Sequence, residues 1–149
     1  MRATWWVGIG LALLLAAGGG VMIYNQTRGL RNNNPGNIRR SNDQWQGMSE
    51  QQTDSSFVQF ISPEYGIRAM YIVLANYRRT GRNTIRKIVT RWAPPTENST
   101  DAYIADVARY TGLGPDQQLE DQDMLLLVSA IIKHENGMQP YDVALIGQG

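Results

Sequence analysis

Near its C-terminus the chain contains the stretch "DMLLLVSAIIKHENG" (Asp123–Gly137). Nine consecutive residues within it, from Met124 to Ile132, are apolar apart from Ser129. Apolar side chains therefore surround the whole helix instead of following one stripe, which is typical of a helix buried on all sides. We expect this helix to lie at the centre of the fold and to end at Gly137, a residue type favoured just after a helix.

The last turn of this helix carries a carboxylate, Glu135. A helix enclosed by the core must emerge at the edge of that core, so Glu135 is expected in or beside a cleft. Burial and the negative end of the helix dipole both disfavour the anion and raise its pKa. An acid that stays protonated near neutral pH can protonate a glycosidic oxygen. On position alone, a solvated last-turn residue is the simpler interpretation.

Composition limits the classes of function. The 149 residues fit one modest domain, and a net charge of +1 gives no strong case for nucleic-acid binding. The absence of cysteine excludes disulfides and thiolate zinc sites. The single histidine, His134, argues against a histidine-rich metal centre or a Ser-His-Asp triad. We therefore predict neither a metal nor a cofactor.

Residues 5–24, "WWVGIGLALLLAAGGGVMIY", carry no charge. As a helix, twenty residues would span roughly 30 Å, the thickness of the hydrocarbon layer of a bilayer. Trp5, Trp6 and Tyr24 stand at the two ends, where aromatic side chains favour the membrane interface. The sequence thus predicts a membrane anchor in residues 1–27, with a transmembrane helix at about 5–24. A cleaved signal peptide is the alternative, since Ala16-x-Gly18 resembles a cleavage site.

The predicted anchor has implications for location and partners. Its small residues at four-residue spacing would allow close packing with other virion or membrane proteins; they are Gly8, Ala12, Ala16 and Gly20. We expect a single-pass protein of a virion membrane or of the bacterial inner membrane, with the following domain facing the cell wall. The positive-inside rule opposes this orientation, because four arginines follow the span: Arg28, Arg31, Arg39 and Arg40.

Residues 28–149 are predicted to form a mainly helical domain. The loop "RGLRNNNPGNIRR" (Arg28–Arg40) is rich in turn residues, and "SFVQFIS" indicates a short strand. Capping residues then mark the limits of four helices: one from Ser62-Pro63-Glu64 to Gly81, one from Thr84 to Trp92, one from Ser99 or Thr100 to Gly112, and one opened by Asp121 or Asp123.

Several of these stretches resemble known enzymes. "AIIKHENG" (130–137) resembles the end of the catalytic helix in lysozyme-like peptidoglycan glycosidases. "RNNNPGNI" (31–38) with the following "WQG" (45–47) resembles the asparagine-rich motif of flagellar and autolysin-type glucosaminidases. "STDAYIADV" (99–107) resembles their Thr-Asp-x-x-Tyr-Ala segment. Together the strings resemble phage virion proteins of the lysozyme-like superfamily.

The resemblance implies a lysozyme-like helical domain with a small β/loop region. It implies a membrane-anchored enzyme that cleaves peptidoglycan as a lytic transglycosylase, muramidase or glucosaminidase, used in cell-wall penetration or lysis. In the resembling families the catalytic glutamate precedes the asparagine motif, whereas Glu135 follows Asn34 by about a hundred residues. We therefore expect a circularly permuted domain, which is feasible where chain termini lie close together.

The resemblance makes Glu135 the general acid. A hydrolase needs a second carboxylate at about 5–9.5 Å, for which the candidates are Glu50, Asp54 and Glu97. A lytic transglycosylase needs none, because a hydroxyl of the sugar itself attacks. Five further residues are candidates for sugar binding, with core packing as the alternative for the two tyrosines: Asn34, Asn37, Trp45, Tyr103 and Tyr110.

Two other classes of function compete with the enzyme. One is a catalytically silent structural protein of a virion or membrane. The other is nucleic-acid binding through a basic run across the helix–turn–helix junction between the first and second predicted helices, formed by Arg78, Arg79, Arg82, Arg86, Lys87 and Arg91. That run lacks interleaved aromatic residues, so nucleic acid is not the expected partner. The expected partner is peptidoglycan, which the resemblance implies.

Overall fold

A computed structural model gives the fold and describes residues 11–16, 20–94 and 99–149. Helices dominate, which confirms the prediction of a mainly helical chain. In chain order the elements are strands β1 (Leu11–Ala16) and β2 (Gly20–Asn25) and helices α1 (Arg28–Arg31), α2 (Pro63–Arg79), α3 (Ile85–Trp92), α4 (Thr100–Thr111), α5 (Met124–Asn136) and α6 (Val143–Ile146). A short 3-10 turn, Asp121–Asp123, leads directly into α5.

Helix α5 is the centre of the core, as its apolar sequence predicts. It packs against α1, α2, α4 and α6. Most of its side chains are buried, including Leu127, Ile131 and Ile132, which are fully excluded from solvent. The expectation of burial on every side is wrong at the first turn, where Leu126 is 40% exposed. From Val128 to Ile132, in contrast, every residue of the apolar run is buried.

The ends of the helices follow local capping signals. Pro63 is the first residue of α2, and the Thr84 hydroxyl accepts a hydrogen bond from the backbone of Lys87 at the start of α3. Gly112 and Gly137 follow α4 and α5 with φ of 72° and 70°. This left-handed conformation costs glycine little because it has no Cβ atom. The predicted limits of these helices are therefore confirmed to within a few residues.

The segment between α1 and α2 contains very little regular β-structure. Two isolated antiparallel bridges join Arg39 to Phe57 and Met48 to Phe60. The predicted short strand is thus reduced to single bridges. Beneath them lies a small second apolar cluster, whose buried members are Val58, Phe60 and Ala69. This cluster attaches the loop region to α2.

A glycine in α2 allows the asparagine-rich loop to contact the helix backbone. A Cβ atom at Gly66 would clash with the carbonyl of Asn33. Asn33 itself adopts a positive φ of 51° and donates its side-chain amide to the carbonyl of Phe60. The loop that carries Asn34 and Asn37 is therefore held against α2 by backbone packing as well as by hydrogen bonds.

The N-terminal segment differs from the predicted transmembrane helix. Residues 11–16 and 20–25 form an antiparallel pair, with Leu11 opposite Asn25 and Ala16 opposite Gly20. The rest of the predicted span, including Gly8, lies outside the described residues. Among the described residues no helix is long and apolar enough to cross a bilayer.

Candidate active site

Glu135 lies at the base of a cleft and is nearly enclosed by protein. It is 9% exposed, although it belongs to the last turn of α5. Its Oε1 accepts a hydrogen bond from the Tyr103 hydroxyl at 3.2 Å, and its Oε2 accepts one from Asn37 Nδ2 at 3.3 Å. The two donors come from α4 and from the asparagine-rich loop. The solvated last-turn interpretation of Glu135 is therefore wrong.

Burial raises the pKa of Glu135 to about 7. Desolvation is the largest cause, and it is opposed by hydrogen bonds from Asn37, Tyr103 and Trp92 and by the charge of Arg39. A carboxylic acid with this pKa is protonated in about half of the molecules at pH 7. The side chain can therefore donate a proton near neutral pH, and nearby donors stabilise the anion that remains.

The cleft has a volume of about 460 Å³ and opens to solvent beside Glu135. One wall is the loop that follows the asparagine motif, and the other consists of side chains from α2 and the end of α3. Its lining combines aromatic, cationic and acidic groups: Asn37, Ile38, Arg39, Arg40, Ser41, Asp43, Trp45, Phe57, Val73, Tyr77, Arg91, Trp92, Ala93, Pro94 and Glu135.

Asn34 has a structural role, which corrects its predicted contact with sugar. It is completely buried. Its Nδ2 donates to the carbonyls of Ile38 and Val58, each at 2.9 Å, and its Oδ1 accepts from the backbone of Ile38 at 2.9 Å. These bonds hold the asparagine-rich loop in shape. A substrate in the cleft cannot reach the amide of Asn34 while they are made.

Asn37 lines the cleft and contacts Glu135 directly. It adopts a positive φ of 51°, which asparagine tolerates better than most residues. While Nδ2 donates to Glu135, its Oδ1 is buried and has no hydrogen-bond partner among the described residues. The amide of Asn37 therefore lies beside the carboxyl group of Glu135, and its contact with sugar stays a prediction.

Asn136, which the sequence analysis overlooked, joins the end of α5 to the asparagine-rich loop. Its Nδ2 donates to the carbonyl of Pro35 at 2.8 Å, and its Oδ1 accepts from the Thr27 hydroxyl at 2.6 Å. A Cβ atom at Gly29 would lie 2.7 Å from this Oδ1. The close packing of these groups fixes Glu135 relative to Asn37, although 98 positions separate the two residues.

Tyr103 positions Glu135, which corrects its predicted stacking against sugar. It is 2% exposed, and its ring stacks on His134 at a centroid distance of 3.7 Å. Burial and the neighbouring carboxylate raise the pKa of Tyr103 well above its ordinary value. The hydroxyl therefore stays a donor to Glu135. His134 is fixed in turn by a 3.0 Å contact between its Nδ1 and Asp106 Oδ2.

Tyr110 lies away from the cleft of Glu135, which corrects its predicted contact with sugar there. Its hydroxyl is 2.9 Å from Ser129 Oγ, and its ring lines a separate cavity beside Asp106 and His134. The helical spacing of Tyr103 and Tyr110 places them two turns apart on α4. This separation directs them to different cavities of the molecule.

Asp54 is occupied by partners, so its predicted role as a second catalytic carboxylate is corrected. Both oxygens bind the Arg28 guanidinium, at 2.6 and 2.5 Å. Asn32 Nδ2 and the backbone amides of Ser56 and Phe57 donate as well. These donors lower the pKa of Asp54 against the opposing effect of burial. The group is an ion-paired anion that holds α1 to the loop.

Glu50 is absent from the lining of the cleft that holds Glu135. Glu50 lines an adjoining polar cavity that shares Trp45 with the main cleft, and Glu97 lies outside the described residues. The structure instead brings an overlooked acid, Asp43, into the lining of the cleft that holds Glu135. Asp43 lies in the turn "RSND" and carries no sequence signal beyond its proximity to the asparagine motif.

Trp45 lines the cleft of Glu135, and its contact with sugar stays a prediction. It lines both the main cleft and the adjoining polar cavity. Its Nε1 is buried and has no hydrogen-bond partner within the described part of the chain. An aromatic face at the junction of two cavities can stack against a sugar ring. In the ranges that the structure describes, no group of three or more metal-binding side chains occurs.

Comparison with known proteins gives one informative match. No protein-family model matches the sequence. Protein P5 of Pseudoalteromonas phage PM2 is 42% identical to this chain over 131 residues, which cover 85% of this chain and 82% of the phage protein. The similarity therefore extends over most of both chains and is not confined to one motif.

Proposed function

Because the chain belongs to the family of Protein P5 of Pseudoalteromonas phage PM2, we propose that it is a phage virion protein that cleaves the glycan strands of peptidoglycan. One observation carries the proposal: Glu135 has a pKa of about 7 and opens into a cleft of about 460 Å³. This combination matches the requirement for a general acid in glycoside cleavage. The resemblance of the motifs at 31–38, 99–107 and 130–137 supports the same conclusion.

In the proposed reaction, protonated Glu135 donates its proton to the glycosidic oxygen of a strand in the cleft. The bond between that oxygen and the anomeric carbon breaks, and positive charge develops on the sugar ring. The resulting carboxylate keeps the hydrogen bonds from Asn37, Tyr103 and Trp92. Because these donors are already in place, the anion forms without reorganisation of its surroundings.

The fate of the cleaved sugar depends on a second group. Asp54 is held by Arg28 and three further donors and is not available as a base or nucleophile. Asp43 is the acid that shares the cleft of Glu135 among the described residues. If Asp43 activates water, the enzyme is a hydrolase. If no carboxylate is needed, a hydroxyl of the substrate attacks and the enzyme is a lytic transglycosylase.

The contact between Asn37 and Glu135 supports the proposal of a permuted domain. The asparagine-rich loop and the end of α5 meet where Asn37 Nδ2 lies 3.3 Å from Glu135 Oε2. The order of these two segments along the chain is the reverse of that in the resembling families. Thr27 and Asn136 lie at the junction and join the two parts by a 2.6 Å hydrogen bond. We propose that this junction replaces a covalent connection found in the unpermuted arrangement.

The apolar N-terminal segment supports association with a virion membrane or bacterial inner membrane. Residues 5–24 contain no charged side chain. We expect the full chain to float with phospholipid vesicles in a density gradient, and a chain lacking residues 1–25 to remain at the bottom. The deletion retains Thr27 and Arg28, which contact Asn136 and Asp54. Equal flotation of both chains would contradict membrane association through this segment.

A structural virion protein without catalysis is the second candidate, favoured by the phage relative and the apolar segment. Digestion of purified peptidoglycan separates the two functions. An enzyme releases muropeptides that mass spectrometry identifies: anhydro ends indicate a transglycosylase, and reducing ends indicate a hydrolase. Loss of these products in Glu135→Gln, with retention in the matched surface variant Glu64→Gln, is the expected result. No products from the unaltered chain would exclude the enzyme.

A further inference from the structure

The cleft of Glu135 concentrates positive charge that the rest of the molecule balances. Three arginines line it, Arg39, Arg40 and Arg91, against one acid other than Glu135, namely Asp43. The net charge of the entire chain is only +1. Cationic side chains are thus placed where the proposed substrate lies, and they impose a positive potential on whatever enters.

Several arginines outside the cleft contact acidic side chains of the protein itself. Arg28 pairs with Asp54, Arg78 with Asp121 and Arg86 with Asp116. Within residues 11–16, 20–94 and 99–149, neither Arg40 nor Arg91 forms an ion pair with a carboxylate, although Arg40 donates to the backbone carbonyl of Asp54. Among the described residues, no carboxylate of the protein therefore competes with a ligand for the guanidinium groups of Arg40 and Arg91.

The positive groups stand on both walls of the cleft. Arg40 follows the asparagine motif on one wall, and Arg91 belongs to the last turn of α3 on the other. Both are solvent-exposed. Guanidinium groups bind carboxylates through paired hydrogen bonds, whereas an uncharged sugar offers them no such partner. A strand of neutral N-acetylglucosamine would therefore gain little from these walls.

We propose, on the basis of the proposed function, that Arg40 and Arg91 select glycan strands that carry carboxylates over neutral strands of the same sugar backbone. Peptidoglycan supplies such groups from two sources, the stem peptides and the lactyl ethers exposed when those peptides are removed. The two arginines are specificity residues, and they take no part in proton transfer.

Binding to the Glu135→Gln variant of the full chain tests this selection without cleavage. Tryptophan fluorescence is a suitable signal, because Trp45 and Trp92 line the cleft. Three probes are compared at low salt: chitohexaose, peptidoglycan strands stripped of peptides by an amidase, and strands that retain their peptides. The second and third probes distinguish lactyl carboxylates from peptide carboxylates.

We expect at least one carboxylate-bearing strand to bind about tenfold more tightly than chitohexaose, and this preference to fall steeply as salt is added. Adding Arg40→Gln and Arg91→Gln should reduce the preference to within about twofold. A matched control, Arg79→Gln with Lys87→Gln, removes the same charge from exposed positions outside the cleft lining and should retain it.

Equal binding of neutral and acidic strands overturns the proposal, and so does an equal loss of preference in the control pair. Thermal unfolding of each variant establishes that it is folded. If the unaltered chain cleaves peptidoglycan but shows no preference, the proposed function stands and the selection is wrong. If a preference exists but no peptidoglycan is cleaved, the cleft binds acidic strands and the enzyme is excluded.

Discussion

Glu135 and Asp54 are both carboxylates at largely buried positions, and they behave in opposite ways. Glu135 is 9% exposed as a whole residue, whereas Asp54 is only partly buried as a residue but has a side chain that is 8% exposed. Burial is the largest single cause acting on the pKa of each. At Glu135 burial outweighs the opposing hydrogen bonds and charge, and the pKa rises to about 7. At Asp54 the hydrogen bonds outweigh burial, and the pKa falls. Burial alone therefore does not make a proton donor.

The difference lies in the partners that each group finds. Asp54 receives a charged guanidinium at 2.5 Å and three further donors at 2.9 to 3.0 Å. Glu135 receives neutral donors at 3.2 and 3.3 Å, and the positive charge of Arg39 is the last of its stabilising influences. Charged hydrogen bonds are roughly twice as strong as neutral ones. Asp54 is therefore held as an anion, whereas Glu135 holds an exchangeable proton.

The largest expected effect is a difference in the rate of peptidoglycan cleavage between substitutions of the two carboxylates. Glu135→Gln should lower the rate of peptidoglycan cleavage by about 10²–10⁴-fold, since it removes the proton donor. Asp54→Asn should leave the rate of the folded fraction within about tenfold of the unaltered chain. Initial rates are measured on purified peptidoglycan and corrected for the folded fraction by circular dichroism. Equal losses in both variants would contradict the assignment of Glu135 as the acid.

The next effect concerns stability at the Asp54 site. Arg28→Gln should lower the free energy of unfolding by about 2–4 kcal/mol, because it leaves a buried anion without its cation. Asp54→Asn should cost less, since Arg28 is 29% exposed in its side chain and can be hydrated. Urea unfolding at pH 7 measures both. If the two substitutions cost the same, the buried anion is not the costly partner.

The pH dependence of stability should show the opposite signs of the two groups. Folded Glu135 keeps its proton up to about pH 7, whereas the unfolded group loses it near its ordinary pKa of 4.5. Its contribution to stability therefore falls as the pH rises from about 4.5 to 7, by up to about 3 kcal/mol. Asp54 contributes stability above its ordinary pKa of 3.8, which is lost at lower pH.

Urea unfolding from pH 2 to 8 measures this dependence. In Glu135→Gln the decline between about pH 4.5 and 7 should disappear, and the variant should be more stable than the unaltered chain at pH 8. In Asp54→Asn that decline should persist, while the loss of stability below pH 4 becomes smaller. A decline that survives in Glu135→Gln would mean that another group causes it.

The smallest expected effect concerns Tyr103 of α4, whose hydroxyl donates a hydrogen bond to Glu135. Tyr103→Phe removes a hydrogen bond that favours the anion of Glu135, so the pKa of Glu135 should rise and the alkaline limb of the activity profile should move to higher pH. Activity at the optimum should stay within about tenfold, since one hydrogen bond contributes about 1 kcal/mol. Pre-steady-state or initial rates across pH 5–9 measure the limb. An unmoved limb would show that Tyr103 only fills space.

The sequence by itself determined the local features of this protein. Pro63 and Thr84 open helices, Gly112 and Gly137 close them, and the apolar run in α5 places that helix in the core. These signals act within one or two turns and need no knowledge of distant residues. The same reasoning placed Glu135 beside a cleft, because the end of a buried helix must meet the edge of the core, but only the resemblance of residues 130–137 marked it as a general acid.

Only the tertiary structure decided what the polar residues do. Asn34 and Asn37 stand three positions apart in one motif, yet one is locked in the loop and the other reaches Glu135. Nothing local distinguishes Asp54, fixed by an arginine 26 positions away, from Asp43, which lines the cleft. The physical reason is that a hydrogen bond or pKa depends on groups within a few ångströms, and here those groups come from segments up to 98 positions apart along the chain.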